Sequence, residues 1–195
     1  MKIPKKKRMT KEYADMYAAS VKKWNDSSPE WKEQWYKNIG IGAQAFVIWW
    51  DTLKEIEQKY HIDIWDIARE MRYKSAAASG EALAKKYKKH GIKELYDGYM
   101  SIFDVTCDIE YFELSDEAMY LWVHTCPVKP LLLELGKTEE EIKEMAPFYC
   151  LADFALMTAF NPELENFAQP RLIMKGDPHC SYRTVDHRAK ERRGK

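Results

Sequence analysis

The sequence carries no surplus of charge. Lys and Arg total 31, Asp and Glu total 31, and the formal net charge over 195 residues is zero. Binding nucleic acid along a surface needs surplus Lys and Arg on one face, so nucleic acid is not an expected partner. Nor is there an apolar run near the roughly 20 residues that a membrane-crossing helix needs. The stretch Ala43–Trp50 is far shorter, and no membrane is expected. The basic start, Met1–Arg8, has no apolar region behind it, so no secretory signal is expected and the compartment follows as cytoplasmic. None of the four cysteines, Cys107, Cys126, Cys150 and Cys180, forms a Cys-x-x-Cys pair. The usual spacing of a structural zinc site is therefore missing. No internal repeat or low-complexity linker divides the chain, which is long enough for one domain with its own core.

What is present fits an ordinary folded globule. Aromatic residues make up 13%, with seven Trp and twelve Tyr, which excludes wholesale disorder. Cations concentrate at the two ends: Lys2–Arg8 holds five in seven residues, and His187–Lys195 holds five against one Glu. Neither run is interleaved with aromatics for base stacking. Both read as solvated tails, 1–10 and 187–195, around a single domain of 11–186. Without a secretory signal the cysteines are expected to be free thiols. The tryptophans between Trp24 and Trp50 read as core packing more than as a substrate platform.

Residues 11–100 read as helical. Apolar side chains recur every three or four residues over Lys11–Trp24. Ser28 is an N-cap with Pro29 at the first helical position, opening Pro29 to about Tyr36. Further helices are expected over Ile41–Tyr60, Asp63–Tyr73 and Glu81–His90, with Gly40 and Gly42 permitting a bend or close packing and a small, permissive stretch at Ser75–Gly80. From residue 101 the period changes. Val105, Cys107, Ile109 and Tyr111 alternate with polar residues, and Met119–Cys126 alternates again, which predicts a hairpin around Ser115–Glu117. A short helix ends at Gly136. Thr138 and Glu141 form a capping box for a helix interrupted at Pro147 and resumed to about Phe160. Arg171–Lys175 and Cys180–Val185 read as a last strand pair across Gly176–His179. The fold class is α+β: a helical N-terminal half, then two antiparallel hairpins forming a sheet with helices packed on one face.

Cys126, Cys150 and Cys180 each stand at an element boundary. One reading is that they are small buried hydrophobes. Another is a nucleophilic thiol, which needs a nearby cation, a His or a helix N-terminus to become a thiolate. Cys150 near the restart after Pro147, and Cys126 just before a helix, satisfy that on paper. A third is a metal site; zinc would draw on Cys126, Cys150, Cys180 and His124. His124 and His179 lie beside cysteines in sequence and are the acid–base candidates. Asp153 is three residues past Cys150, on the same helical face, where it could orient a His or bind an amine. Arg171 and Arg183 offer bidentate forks for a carboxylate, with surface strand cations as the plainer reading.

These residues recur in a particular order: Cys126-Pro127, then Phe148-Tyr149-Cys150-Leu151-Ala152-Asp153, then Phe160-Asn161-Pro162, then Gly176-Asp177-Pro178-His179-Cys180-Ser181-Tyr182. Over roughly residues 100–186 this resembles the L-2-amino-thiazoline-4-carboxylic acid hydrolase family. The Gly-Asp-x-x-Cys-x-Tyr ending is also similar to vinyl-reductase-type small-molecule-binding domains. The resemblance implies a cytoplasmic hydrolase acting on the C–N bonds of a cyclic amidine, in the named case carrying a thiazoline ring to N-carbamoyl-cysteine. On that chemistry a thiolate attacks the amidine carbon and a His moves the protons. Cys150 is the first candidate for nucleophile, then Cys126, then Cys180. His124 or His179 is the acid–base group, Asp153 holds the ammonium or the His, and Arg171 or Arg183 holds a carboxylate. No cofactor is required, with zinc as the possible exception. The partner is a small-molecule substrate, and a homo-oligomer stays open. A non-catalytic sensor module using the same Cys and His residues, with or without metal, is the alternative. A structural partner protein that docks through its aromatic N-terminal helices is a third.

Overall fold

Ser28 sets the start of the longest helix. Its hydroxyl accepts the Trp31 amide at 3.2 Å, and Pro29 occupies the first turn. In the computed structural model, which describes residues 9–167 and 169–193, this helix (α2, Pro29–Tyr60) follows α1 (Lys11–Asp26). The basic run Lys2–Arg8 lies outside the described residues. The bend that Gly40 and Gly42 would permit is absent, and α2 continues through both. Nothing approaches either glycine, so no packing forces a turn there. A stripe at Ala43, Phe46, Val47 and Trp50 buries α2 against the body. Of the N-terminal tryptophans, Trp50 is in the core, whereas Trp24, Trp31 and Trp35 form an edge-to-face cluster where α1 meets α2.

α3 (Trp65–Ala84) is likewise unbroken across Ser75–Gly80, because alanine-rich segments favour helix once one face is packed. Gly80 serves contact instead. A Cβ there would come within 2.2 Å of the Leu156 carbonyl oxygen of α8 (Leu151–Phe160). The helix expected to run to His90 ends at Ala84. α4 (Ile92–Gly98) and α5 (Phe103–Thr106) follow, joined by a 3-10 turn at Met100–Ile102. Val105 and Cys107 are therefore not in a strand. The Cys107 amide closes a helical turn on the Phe103 carbonyl at 2.8 Å.

The first hairpin is β1 (Ile109–Leu114) and β2 (Ala118–Val123), with Ile109 opposite Val123 and a bulge between Tyr111 and Glu113. α6 (Val128–Glu134) and α7 (Glu139–Tyr149) come next. The Thr138–Glu141 capping box is formed in both directions. Pro147 stays inside α7, and the break to α8 falls at Cys150. After β3 (Glu165–Phe167), the expected strand at Arg171–Lys175 is a 3-10 turn over Ile173–Lys175. The Asp177 carboxylate takes the Leu172 amide at 2.8 Å, and Gly176 adopts φ 96°. The segment thus satisfies its donors locally and joins no ladder. β4 (Cys180–Val185) pairs with β2 and β3, giving an antiparallel sheet of order β1-β2-β4-β3. The basic C-terminal run is partly folded: α9 (Ala189–Arg193) buries Ala189, and Arg188 pairs with Glu163 at 2.6 Å.

Register divides the sheet into two chemical faces, since directly opposed residues share a face. Ile109, Tyr111, Leu121, Val123, Cys180 and Tyr182 turn inward against the helices and are buried. Phe112, Tyr120, Trp122, Ser181 and Arg183 turn outward. Among the described residues no helix is long and apolar enough to cross a membrane.

Candidate functional site

Beneath the inner face, the junction of α7 and α8 meets one end of the sheet. Cys150 lies at that junction with Asp153 one turn further on. The Asp153 carboxylate accepts the Tyr99 hydroxyl at 2.6 Å on one oxygen and the Tyr182 hydroxyl at 2.7 Å on the other. Gln169 reaches the second oxygen at 3.5 Å. Burial first, and then the Asp153 charge, push both phenols well above the usual tyrosine range, so they act as donors.

The four sulfurs lie near enough to act on one another around this carboxylate. Cys150 feels Asp153, Cys180 and Cys126. Cys107 feels Cys126, and Cys180 feels Cys126, Asp153 and Cys107. Each is anchored differently. Cys150 Sγ touches Met174 Sδ at 3.8 Å. Cys180 Sγ accepts the Ile173 amide at 3.3 Å. Cys126 receives the Val128 and Lys129 amides at the start of α6. Cys107 rests against the Thr106 hydroxyl at 3.8 Å.

The surroundings of the thiols in the free protein work against the expected thiolate. Burial is the main cause, and it pushes Cys107 up to about 11 and Cys180 up to about 12. Cys126 is raised as well. Cys150 is pushed well above the usual thiol range, by burial first and by Asp153 next. A position at a helix start does not offset desolvation plus a carboxylate. One cation opposes this trend at Cys150: Arg72 of α3. Its guanidinium lies over the rings of Phe46 and Tyr149 at 5.5 and 5.4 Å and donates to the Tyr149 carbonyl at 3.4 Å. Its buried Nε has no partner among the described residues.

The histidines and the strand arginines are elsewhere. His179 lies just before β4, whose first residue, Cys180, turns inward. The His179 ring stacks on Trp122 with centroids 3.9 Å apart, and His124 meets it at 5.8 Å. Arg171 reaches His179 Nε2 at 3.4 Å. Burial, then Arg171 and His124, pull His179 below the usual histidine range. His124 faces Glu110 at 3.5 Å, and Arg183 lies over Phe167 at 4.5 Å. The structure therefore brings together Cys126, Cys150, Cys180 and Asp153. It separates them from His124, His179, Arg171 and Arg183 by the thickness of the sheet. His124 and Cys126 do not share a strand face, because β2 ends at Val123. A zinc set of Cys126, Cys150, Cys180 and His124 does not assemble for the same reason. Among the described residues no three His, Cys, Asp or Glu side chains are placed to hold a metal ion.

Three cavities open elsewhere: between α1, α2 and the 97–105 segment, at the start of α4, and on the outer face of the sheet. None of the three is lined by a cysteine. The residues around Cys150 that the sequence did not single out are Arg72 and Tyr99, while Tyr149 stands in a motif without a role. Tyr182 stands in a motif but without a role. Its alternation with Cys180 through Ser181 puts both on one face and is the signal that could have found it. Nothing marks Arg72 or Tyr99 in the sequence.

A family model described as L-2-amino-thiazoline-4-carboxylic acid hydrolase matches residues 38–184, which span the second part of α2 through β4. No curated protein matches. Among solved structures, a trafficking protein particle complex subunit 3 from Naegleria fowleri, covalently bound to palmitic acid, is 15% identical. The alignment covers 76% of this chain and 94% of that one, with a TM-score of 0.46.

Proposed function

Because this chain belongs to the L-2-amino-thiazoline-4-carboxylic acid hydrolase family, we propose that it hydrolyses a small zwitterionic cyclic amidine at Cys150. The observation that carries the reading is that Cys150 lies next to Tyr149, whose carbonyl Arg72 meets at 3.4 Å, and one helical turn before Asp153, so a cation and a carboxylate both act on it. A substrate with an amidinium and a carboxylate has the complementary pair. Asp153 takes Tyr99 on one oxygen and Tyr182 with a long Gln169 bond on the other, so the first oxygen keeps a lone pair for an amidinium N–H. The unpaired Nε of Arg72 suits the carboxylate.

This arrangement also supplies what the free thiols lack. An amidinium beside Asp153 cancels the negative charge that holds the Cys150 proton in place, so the substrate's own cation favours the thiolate. The proton passes from Cys150 to Asp153, and the sulfur bonds to the amidine carbon. The ring C–S bond then breaks, and the departing sulfur takes the proton from Asp153. Both C–N bonds persist, as conversion to N-carbamoyl-cysteine requires; a C–N cleavage would give a different product. Water next attacks the same carbon, its proton passes through Asp153 to the Cys150 sulfur, and the urea leaves. The amidinium's extra proton is released. His124 and His179 have no part in these steps.

The test compares turnover of 2-aminothiazoline-4-carboxylate with that of 2-aminothiazoline, which lacks the carboxylate. The expected preference in kcat/KM is about 100-fold, and Arg72→Gln removes most of it while the smaller substrate reacts as before. Equal rates in the parent protein, or an undiminished preference in Arg72→Gln, would remove Arg72 from the site. Binding of both compounds without turnover of either would leave a sensor module in place of an enzyme.

A further inference from the structure

We propose that the outer face of the sheet holds a second ligand site, suited to a flat, ring-sized carboxylic acid. The site is independent of the ring-opening chemistry, since the sheet separates the two. Its groove encloses about 570 Å³, within the range of small-molecule pockets. Tyr120 of β2 forms one wall, and Phe167 of β3 with Pro170 forms the other. Arg183 lies between them in the register, and Ser181 is two residues before it on the same strand face.

Two polar groups in this groove lack what they need. Ser181 is 7% exposed, and its buried Oγ has no hydrogen-bond partner among the described residues. A buried hydroxyl without a partner has given up its bonds to water, and a ligand oxygen would restore one. Arg183, two residues along on the same face, stacks over Phe167 at 4.5 Å, and no carboxylate pairs with it among the described residues. A guanidinium fork over an aromatic ring presents a planar, bidentate site for a carboxylate. The apolar walls set the rest of the ligand. Tyr120 and Phe167 suit a flat ring, and Ala118 and Val185 add no charge. Glu113 at the rim accepts the Ser115 hydroxyl at 3.2 Å and opposes a dianion, so a carboxylate fits better than a phosphate.

The probe is 4-fluorobenzoate, followed by fluorine NMR on the full chain. The neutral 4-fluorobenzamide serves as the comparison, with thermal melting of every variant alongside. Saturable binding below about 10 mM is expected, with the amide at least about tenfold weaker. Arg183→Gln weakens the acid about tenfold or more, and Arg72→Gln leaves it unchanged. Ser181→Ala is the sharper variant: it weakens the acid several-fold while the melting temperature holds or rises, because the lost hydroxyl had no partner. The proposal is overturned by equal binding of acid and amide, by no binding at 10 mM, or by binding that Arg72→Gln abolishes and Arg183→Gln spares.

Discussion

Two carboxylates in this protein each receive two tyrosine hydroxyls, and they have different surroundings. Asp104 of α5 accepts Tyr96 on one oxygen and Tyr111 at 2.7 Å on the other. It is 3% exposed, and both tyrosines are fully buried. Asp153 accepts Tyr99 and Tyr182 in the same manner but is only half-buried, with four thiols and an under-satisfied arginine around it. The first cluster ties α4, α5 and β1 together. The second joins the same kinds of donor and acceptor to groups whose charges and protons are not settled among themselves. A carboxylate–phenol pair alone therefore does not mark a reactive site. The unbalanced groups beside it do.

The two clusters should come apart under substitution. Asp153→Asn keeps the shape, removes the charge, and is expected to lower turnover of 2-aminothiazoline-4-carboxylate about 1,000-fold, with a melting temperature within a few degrees of the parent. Asp104→Ala orphans two buried hydroxyls and is expected to cost about 3 kcal/mol, roughly 10 °C in melting temperature, with the remaining folded fraction still active. If Asp153→Asn melts as early as Asp104→Ala while keeping activity, both clusters are structural.

A smaller effect separates them by pH. Cys107 and Cys180 have raised values near 11 and 12, whereas an unfolded thiol titrates near 8.5. The unfolded chain loses those protons first, so stability falls as pH rises through that window and the loss is complete only above the folded values. The Asp104 tyrosines are also raised, but unfolded tyrosine titrates near 10. Between about pH 8.5 and 10 the slope therefore comes from the thiols. The pH slope of denaturant melts across that range should become shallower, without vanishing, in a Cys107→Ala, Cys180→Ala double variant, since Cys126 and Cys150 are raised as well, and should stay unchanged in Tyr96→Phe.

Much of the scaffold was legible because it rests on local rules. Ser28 before Pro29, the Thr138–Glu141 box and the β1–β2 alternation each correspond to an element of the fold. The misread segments are those where tertiary packing overrides a local signal. Gly80 looked merely permissive and is a contact point between α3 and α8. Arg171–Lys175 looked like a strand and closes on Asp177. Val105 and Cys107 alternate with polar residues yet turn into a helix beside the buried Asp104. Within the site, the cysteines and Asp153 were readable from element boundaries and helical spacing. The histidines were paired with cysteines by sequence proximity, whereas His124 and His179 lie just outside the strands and their rings meet beside Trp122. Arg72 comes from a helix nearly eighty positions before Cys150, and no local pattern links the two.

The most direct test of a sulfur-centred reaction is kcat/KM for 2-aminothiazoline-4-carboxylate in the parent protein and in Cys150→Ala, with the product identified by mass. The account predicts N-carbamoyl-cysteine from the parent and a loss of about 1,000-fold or more in the variant, with its melting temperature little changed. Turnover in Cys150→Ala within tenfold of the parent would contradict it and leave Asp153 acting on water without the thiol.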